Sequence, residues 1–143
     1  MRHSLDKKIY IGTMSGTSYD GIDICSLNVA NQISLLKFSS FKYPSQLRED
    51  ISRAIQRQEL SLDRYFDLNR RIGQAFSKSI KKFLTQNKIN KKNVAAIGLS
   101  GQTLFHQPKN RYPFSIQAGD PKIIANECEI DVVSDFRNDH IKL

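Results

Sequence analysis

The chain contains no tryptophan and only two cysteines, Cys25 and Cys128. These lie far apart and form no Cys-x-x-Cys pattern, so neither a disulfide framework nor a cysteine zinc site has support. Cys25 alternates within an apolar run and reads as a small buried hydrophobe. Prolines number four and glycines seven in 143 residues. No linker, internal repeat or low-complexity segment is visible. Long apolar runs are missing too, and none approaches the roughly 18 residues of a membrane span. The N-terminal MRHSLDKK carries charge, but IYIGTMSG after it is too short and too polar for a signal-peptide core. A cytoplasmic protein with no membrane contact is expected.

The rest fits a single globular domain, with 39% hydrophobic and 25% charged residues. Net charge is +8, much of it in SKSIKKFLTQNKINKK, residues 77–92. There Lys78, Lys81, Lys82, Lys88, Lys91 and Lys92 surround an apolar stripe of Ile80, Phe83 and Leu84. That pattern describes an amphipathic helix with a solvated basic face. It is preferred to a nucleic-acid surface.

Hydrophobic periodicity gives the order βββ-α-α-β-β-α-β. KKIYIGTM, GIDICSLNV and ISLLKFSSFKY read as three strands with short connections, which makes an antiparallel meander. In the second, Ile22, Ile24, Ser26 and Asn28 share one face. Pro44 ends the pattern, and a helix follows with Ser45 as its N-cap and Leu47, Ile51, Ala54 and Ile55 at helical spacing. A longer helix starts near Ser61, where Leu62, Tyr65, Phe66, Asn69, Ile72, Gly73, Phe76, Ile80, Phe83 and Leu84 recur at three- and four-residue steps and the aromatic residues read as core. NVAAIGLSGQT reads as a buried strand halting at Ser100. FSIQAGD is a short strand leading into Asp120-Pro121, a favourable N-cap and first helical residue for PKIIANECE. IDVVSDF closes the series. The fold class is α/β, a mixed sheet with helices packed on it.

Four strand ends carry small polar residues: Ser15 to Asp23, Ser100 to Thr103, Gln117 to Asp120, and Ser134 to Arg137. Ligands gather at such ends in open α/β sheets. In GTMSGTSYDGID, Gly16 and Gly21 allow backbone N–H groups to approach an anion. Ser15, Thr17 and Ser18 add hydroxyl donors, and Asp20 or Asp23 has the chemistry to hold a magnesium ion. This is not the P-loop, because the lysine is absent and a strand follows. A polar hairpin with Asp-Gly at its turn accounts for the loop equally well. Ser-Gly-Gln-Thr offers hydrogen bonds to sugar hydroxyls, or caps the strand end. His106 reads as an exposed loop residue, and Arg137 as an anion ligand or a partner of Asp135. His3 and His140 carry no pattern.

Together IGTMSGTSYDGID, AIGLSGQTLFHQP, SIQAGD and VVSDFR resemble, in order and spacing, anhydro-N-acetylmuramic acid kinase, a family of the sugar kinase/actin/Hsp70 ATPase superfamily. The likeness runs from about Tyr10 to Arg137. It implies a ribonuclease H-like, actin-like ATPase lobe beginning with a three-stranded meander. It implies ATP and Mg²⁺ as cofactors, and 1,6-anhydro-N-acetylmuramic acid as the small-molecule substrate. The sugar ring is opened by water and phosphorylated on O6 in cell-wall recycling. The loop residues Gly16, Thr17, Ser18, Tyr19, Asp20, Gly21, Ile22 and Asp23 are then the ATP contacts, with Asp20 towards the metal. Gly101, Gln102, Thr103 and Arg137 lie towards the sugar.

Two departures stand out. Ser100 replaces the family's histidine before Gly-Gln-Thr, and NDHIKL replaces the Gly-rich segment after Asp-Phe-Arg. Family members are longer, and their second lobe carries the general-base aspartate. Residues 1–143 therefore correspond to the first lobe, with no catalytic base and no turnover expected from this chain alone. A non-catalytic phosphate-binding module and one half of a split kinase are the alternatives. An exposed apolar surface is expected to favour self-association or pairing with a separate second lobe.

Overall fold

The computed structural model describes residues 9–138. The strands are β1 (Ile9–Ser15), β2 (Gly21–Val29), β3 (Ile33–Lys42), β4 (Val94–Gln107), β5 (Phe114–Ala118) and β6 (Val132–Ser134). The helices are α1 (Ser45–Arg57), α2 (Leu62–Gln86) and α3 (Pro121–Cys128), and a short 3₁₀ turn, Lys91–Asn93, leads into β4. The element order is the one that periodicity predicts.

One mixed sheet orders its strands β3-β2-β1-β4-β5, with β6 also paired to β4. The meander is antiparallel: Gly12 faces Cys25 across β1–β2, and Ile24 faces Ser39 across β2–β3. β1 and β4 run parallel, with Ile11 beside Ile97. Such a parallel neighbour requires a crossover, and α1 and α2 supply it.

Alternation decides which face is covered. Ile11 on β1, Ile22 and Ile24 on β2, and Ile97 and Leu99 on β4 are all buried. On α2 the buried stripe is Leu68, Ile72, Phe76, Ile80 and Phe83, at steps of three and four. These residues join Leu47 and Ile51 of α1 and Ile124 of α3 in one core cluster. Each fully buried Ile or Phe stabilises by about 1.5–3 kcal/mol relative to exposure. The other sheet face is open, with Tyr10, Met14, Phe38 and Val133 exposed on it.

Several expectations need correction. Pro44 occupies the position before α1 and Ser45 is the first helical residue, so no side chain caps this helix. Leu62 and Phe66 are 75% and 62% exposed. Phe66 lies about 120° round α2 from Ile72, outside the buried stripe. Cys25 is half-buried, on the open face opposite Gly12. β4 does not halt at Ser100. It kinks at Gly101, where φ is +70°, and continues to Gln107 with a new antiparallel neighbour, β5. His106 is therefore an exposed strand residue, its Nδ1 3.2 Å from the Ser115 hydroxyl.

Candidate functional site

The kink in β4 opens a cleft. Up to Leu99, β4 is flanked by β6, whose Ser134 pairs with Leu99. From Gln102 onward the same side is taken by β5, whose Ala118 pairs with Gln102. Between these contacts Ser100 and Gly101 have neither neighbour, and a cleft of about 380 Å³ opens against them. Gln117 and Gly119 of the β5 end, Asp135 and Arg137 after β6, and Tyr65 and Asn69 of α2 complete its walls.

Local contacts hold this wall together. Asn69 accepts the Gly119 amide on its Oδ1 at 2.8 Å and the Asp120 amide on its carbonyl at 3.1 Å. Asp120 caps α3 by accepting the Lys122 amide at 2.9 Å, with Pro121 in the first turn as predicted. The Thr103 hydroxyl accepts from the Arg137 guanidinium at 2.8 Å and from Gln117 Nε2 at 3.3 Å. Arg137 thus reaches across to β4, and no ion pair joins it to Asp135 among the described residues. Asp135 adopts a positive φ of 66°, and its carboxylate accepts from Asn138.

The second feature is the β1–β2 connection, Gly16–Asp20. Thr17, Ser18 and Asp20 are exposed. The Tyr19 amide folds back on the Gly16 carbonyl at 3.1 Å, and Tyr19 has φ of 44°. The Thr17 and Ser18 amides make no such turn bond among the described residues. A Cβ on Gly16 would meet only the Ser18 hydroxyl, 3.8 Å away, so this corner is open. Free backbone donors around an open glycine fit an anion such as phosphate. Among the described residues the Asp20 carboxylate accepts only the Ser18 hydroxyl, at 2.9 Å, and it faces solvent. It has the hard oxygen donors that Mg²⁺ takes. No group of three or more metal-ligating side chains occurs among the described residues.

The rest of the predicted loop motif belongs to the sheet. Gly21, Ile22 and Asp23 open β2. A Cβ on Gly21 would lie 2.5 Å from the Phe41 carbonyl, so packing against β3 explains this glycine. Ile22 faces the core, and Asp23 accepts the Ser40 hydroxyl at 2.5 Å.

Gln102 stands between loop and cleft and is wholly buried. Its Nε2 donates to the carbonyls of Gly16 (3.2 Å) and Thr103 (3.1 Å). Its Oε1 lies 2.5 Å from the Ser15 hydroxyl, which is also 2.7 Å from the Gly21 carbonyl. The single Ser15 proton serves one of these acceptors at a time. Next to this cluster the Tyr43 hydroxyl is buried, with no hydrogen-bond partner among the described residues. Burial pushes its pKa far above the usual tyrosine range, and the neighbouring Ser15 hydroxyl offsets part of that. Tyr65 in the cleft is also pushed up, by burial first and then by the Asp120 and Asp135 carboxylates. It is a protonated donor at neutral pH.

Of the sequence-predicted site residues, Gly16, Thr17, Ser18, Tyr19 and Asp20 share the loop, while Gly101 and Arg137 line the cleft and Thr103 bonds to Arg137. Gln102 is apart from the cleft surface. Tyr65 and Asn69 were missed: helical spacing absorbed both into the core stripe. The signal available was Asn69 itself, a polar residue set between Phe66 and Ile72 at three-residue steps.

A parallel β1–β4 pair, an antiparallel meander on one side and an anion-competent loop between β1 and β2 define a lobe of the actin-like ATPase class. Family comparison is more specific. A sequence model of the family described as anhydro-N-acetylmuramic acid kinase matches residues 8–143. An anhydro-N-acetylmuramic acid kinase of Gamma-proteobacterium EBAC31A08 is 46% identical over 97% of this chain and 38% of its own length. That of Actinobacillus pleuropneumoniae serotype 7 (strain AP76) is 36% identical over 93% and 36%. That of Vibrio vulnificus (strain YJ016) is 37% identical over 96% and 37%. The chain belongs to the anhydro-N-acetylmuramic acid kinase family, and spans little more than a third of the length of these curated relatives. No helix among the described residues is long and apolar enough to cross a membrane.

Proposed function

We propose that this chain is the lobe that binds the ATP phosphates and forms one wall of the sugar site in a kinase acting on 1,6-anhydro-N-acetylmuramic acid. The supporting observation is that the open Gly16–Asp20 loop follows the end of β1 and the Ser100–Gly101 cleft lies at the kink of the adjacent parallel strand β4, Ser15 pairing with Gln102. In the reaction implied by the family, a water oxygen adds to C1 as the C1–O6 bond breaks, and O6 takes a phosphoryl group. ATP, when bound, supplies that group and leaves as ADP.

The residues contribute binding and orientation. Thr17 and Ser18 amides and hydroxyls take phosphate oxygens, and Asp20 takes Mg²⁺ directly or through water. Arg137, held by Thr103, and the protonated Tyr65 hydroxyl offer donors to the sugar's hydroxyl and carboxylate oxygens. Ser100 supplies a hydroxyl at the cleft floor and no imidazole. The family resemblance puts the general base in the second lobe, so turnover is expected to need groups beyond these residues.

The test is calorimetric titration of the 143-residue chain with Mg·ATP and with the anhydro sugar, alongside a coupled ADP-release assay. Binding of both ligands without turnover is expected. Failure to bind either ligand would sink the reading, and robust turnover would refute the missing base. A split-kinase arrangement predicts turnover once the remaining part of a relative is added.

A further inference from the structure

We infer that Gln102 is a positioning residue for the β1–β2 loop and makes no contact with the sugar. This rests on the reading of the loop as a phosphate site, and reverses the sugar-side role that the family resemblance implies for this position.

The side chain has no surface to offer a ligand, since its exposure is 0%. Its hydrogen-bonding capacity is also taken up. Both Nε2 protons are used, one on Gly16 and one on Thr103, and Oε1 faces the Ser15 hydroxyl. A flipped amide would set Oε1 against two carbonyl oxygens, so the orientation is fixed by its partners. The Ser15 proton that Oε1 takes can turn instead to the Gly21 carbonyl on the far side of the loop. The Gly16 end of the loop is therefore held by a single buried amide, and the Ser15 hydroxyl serves either that amide or Gly21. The Gly16 carbonyl held by Gln102 is also the acceptor for the Tyr19 amide that shapes the turn.

The neighbouring residue has the opposite orientation. Gly101, at positive φ, lines the cleft. A Cβ there would lie 2.8 Å from the Ala118 carbonyl. The kink at Gly101 turns one residue towards the cleft and the next towards the loop. Adjacent peptide units thus serve the two ligands separately.

The test uses Gln102→Met, which keeps length and apolar bulk and removes all three bonds, and Ser15→Ala, which removes only the hydroxyl. Each full chain is titrated with magnesium tripolyphosphate and, separately, with the anhydro sugar. Amide hydrogen exchange is followed without ligand. The expected result for Gln102→Met is phosphate affinity down about tenfold or more, sugar affinity within about twofold, and Tyr19 amide exchange faster about tenfold while the Ile80 and Ile97 amides are unchanged. Ser15→Ala shifts phosphate affinity and Tyr19 exchange in the same direction by less. If Gln102→Met does not fold, the unsubstituted chain decides: tripolyphosphate should shift the Gln102 side-chain NH₂ resonances and sugar should not. Loss of sugar affinity with an unmoved Tyr19 amide would overturn the inference. If the unsubstituted chain binds no phosphate, the functional reading of the loop fails, whereas the Tyr19 exchange measurement still tests the clamp.

Discussion

Arg137 and Thr103 are joined across 34 residues of sequence by a 2.8 Å hydrogen bond from guanidinium to hydroxyl. The bond ties the segment after β6 to the kinked middle of β4, on the rim of the cleft. Arg137 is exposed, so the contact adds little to stability, and its consequence lies in where it aims the guanidinium.

Arg137→Ala is expected to weaken binding of the anhydro sugar by about tenfold, the scale of one charge-assisted hydrogen bond. Thr103→Val should have a smaller effect in the same direction. Calorimetry measures both, and denaturant midpoints should stay near that of the unsubstituted chain. A pronounced stability loss with unchanged affinity would count against a ligand role.

Gly101→Ala should destabilise the chain by about 1–3 kcal/mol, because a Cβ at positive φ would press on the Ala118 carbonyl. Gly21→Ala should cost a similar amount through the Phe41 carbonyl. Gly16→Ala, with open space around it, should cost much less. Urea melts of the three variants check this ranking, and equal losses would refute it.

Tyr43 links the core to alkaline stability. The folded chain holds the Tyr43 proton more tightly than the unfolded chain, whose value is near 10.0. The associated stability is fully present below that value and is lost as pH rises towards the folded value. Tyr43→Phe should remove this slope, so midpoints measured at about pH 9 and about pH 11 draw together. At neutral pH the variant should be unchanged or gain about 1 kcal/mol, since an unpartnered buried hydroxyl is removed. A marked loss at neutral pH would show that the hydroxyl is bonded after all.

Among the described residues β3 is an edge strand ten residues long, paired on one side to β2, with Ile33, Leu35 and Phe38 at least 60% exposed. Long apolar edges pair with other chains. Concentration-dependent association of this chain is expected, and Phe38→Lys with Leu35→Lys should suppress it at little cost in stability. Sedimentation velocity over a range of concentrations is the measurement. A monomer at all concentrations before substitution would remove the expectation.

Element types were legible because burial imposes its period on the sequence. Ile22, Ile24 and Ser26 alternate, and Ile72, Phe76, Ile80 and Phe83 step by helical turns. Ser61 and Asp120 announced their helices, since a capping side chain acts within three residues of itself. Less visible were features set by distant partners. Ser100-Gly101 looked like a strand end because nothing local reports that β5 arrives after the kink. Gln102 looked like a ligand contact because a polar side chain beside glycine reads as exposed. Two of its three partners lie 86 and 87 residues away. Tyr65 and Asn69 were hidden by the same periodicity that revealed α2.

The open sheet face carries its own reporter. Cys25 is half-buried there, whereas Cys128 is buried at the end of α3 and its thiol is pushed up by that burial. A thiol-alkylating reagent therefore distinguishes the two without any engineered label. The alkylation rate at Cys25 reads how much of the face is covered, so the docking of any further chain onto it can be followed by mass spectrometry in the unaltered sequence.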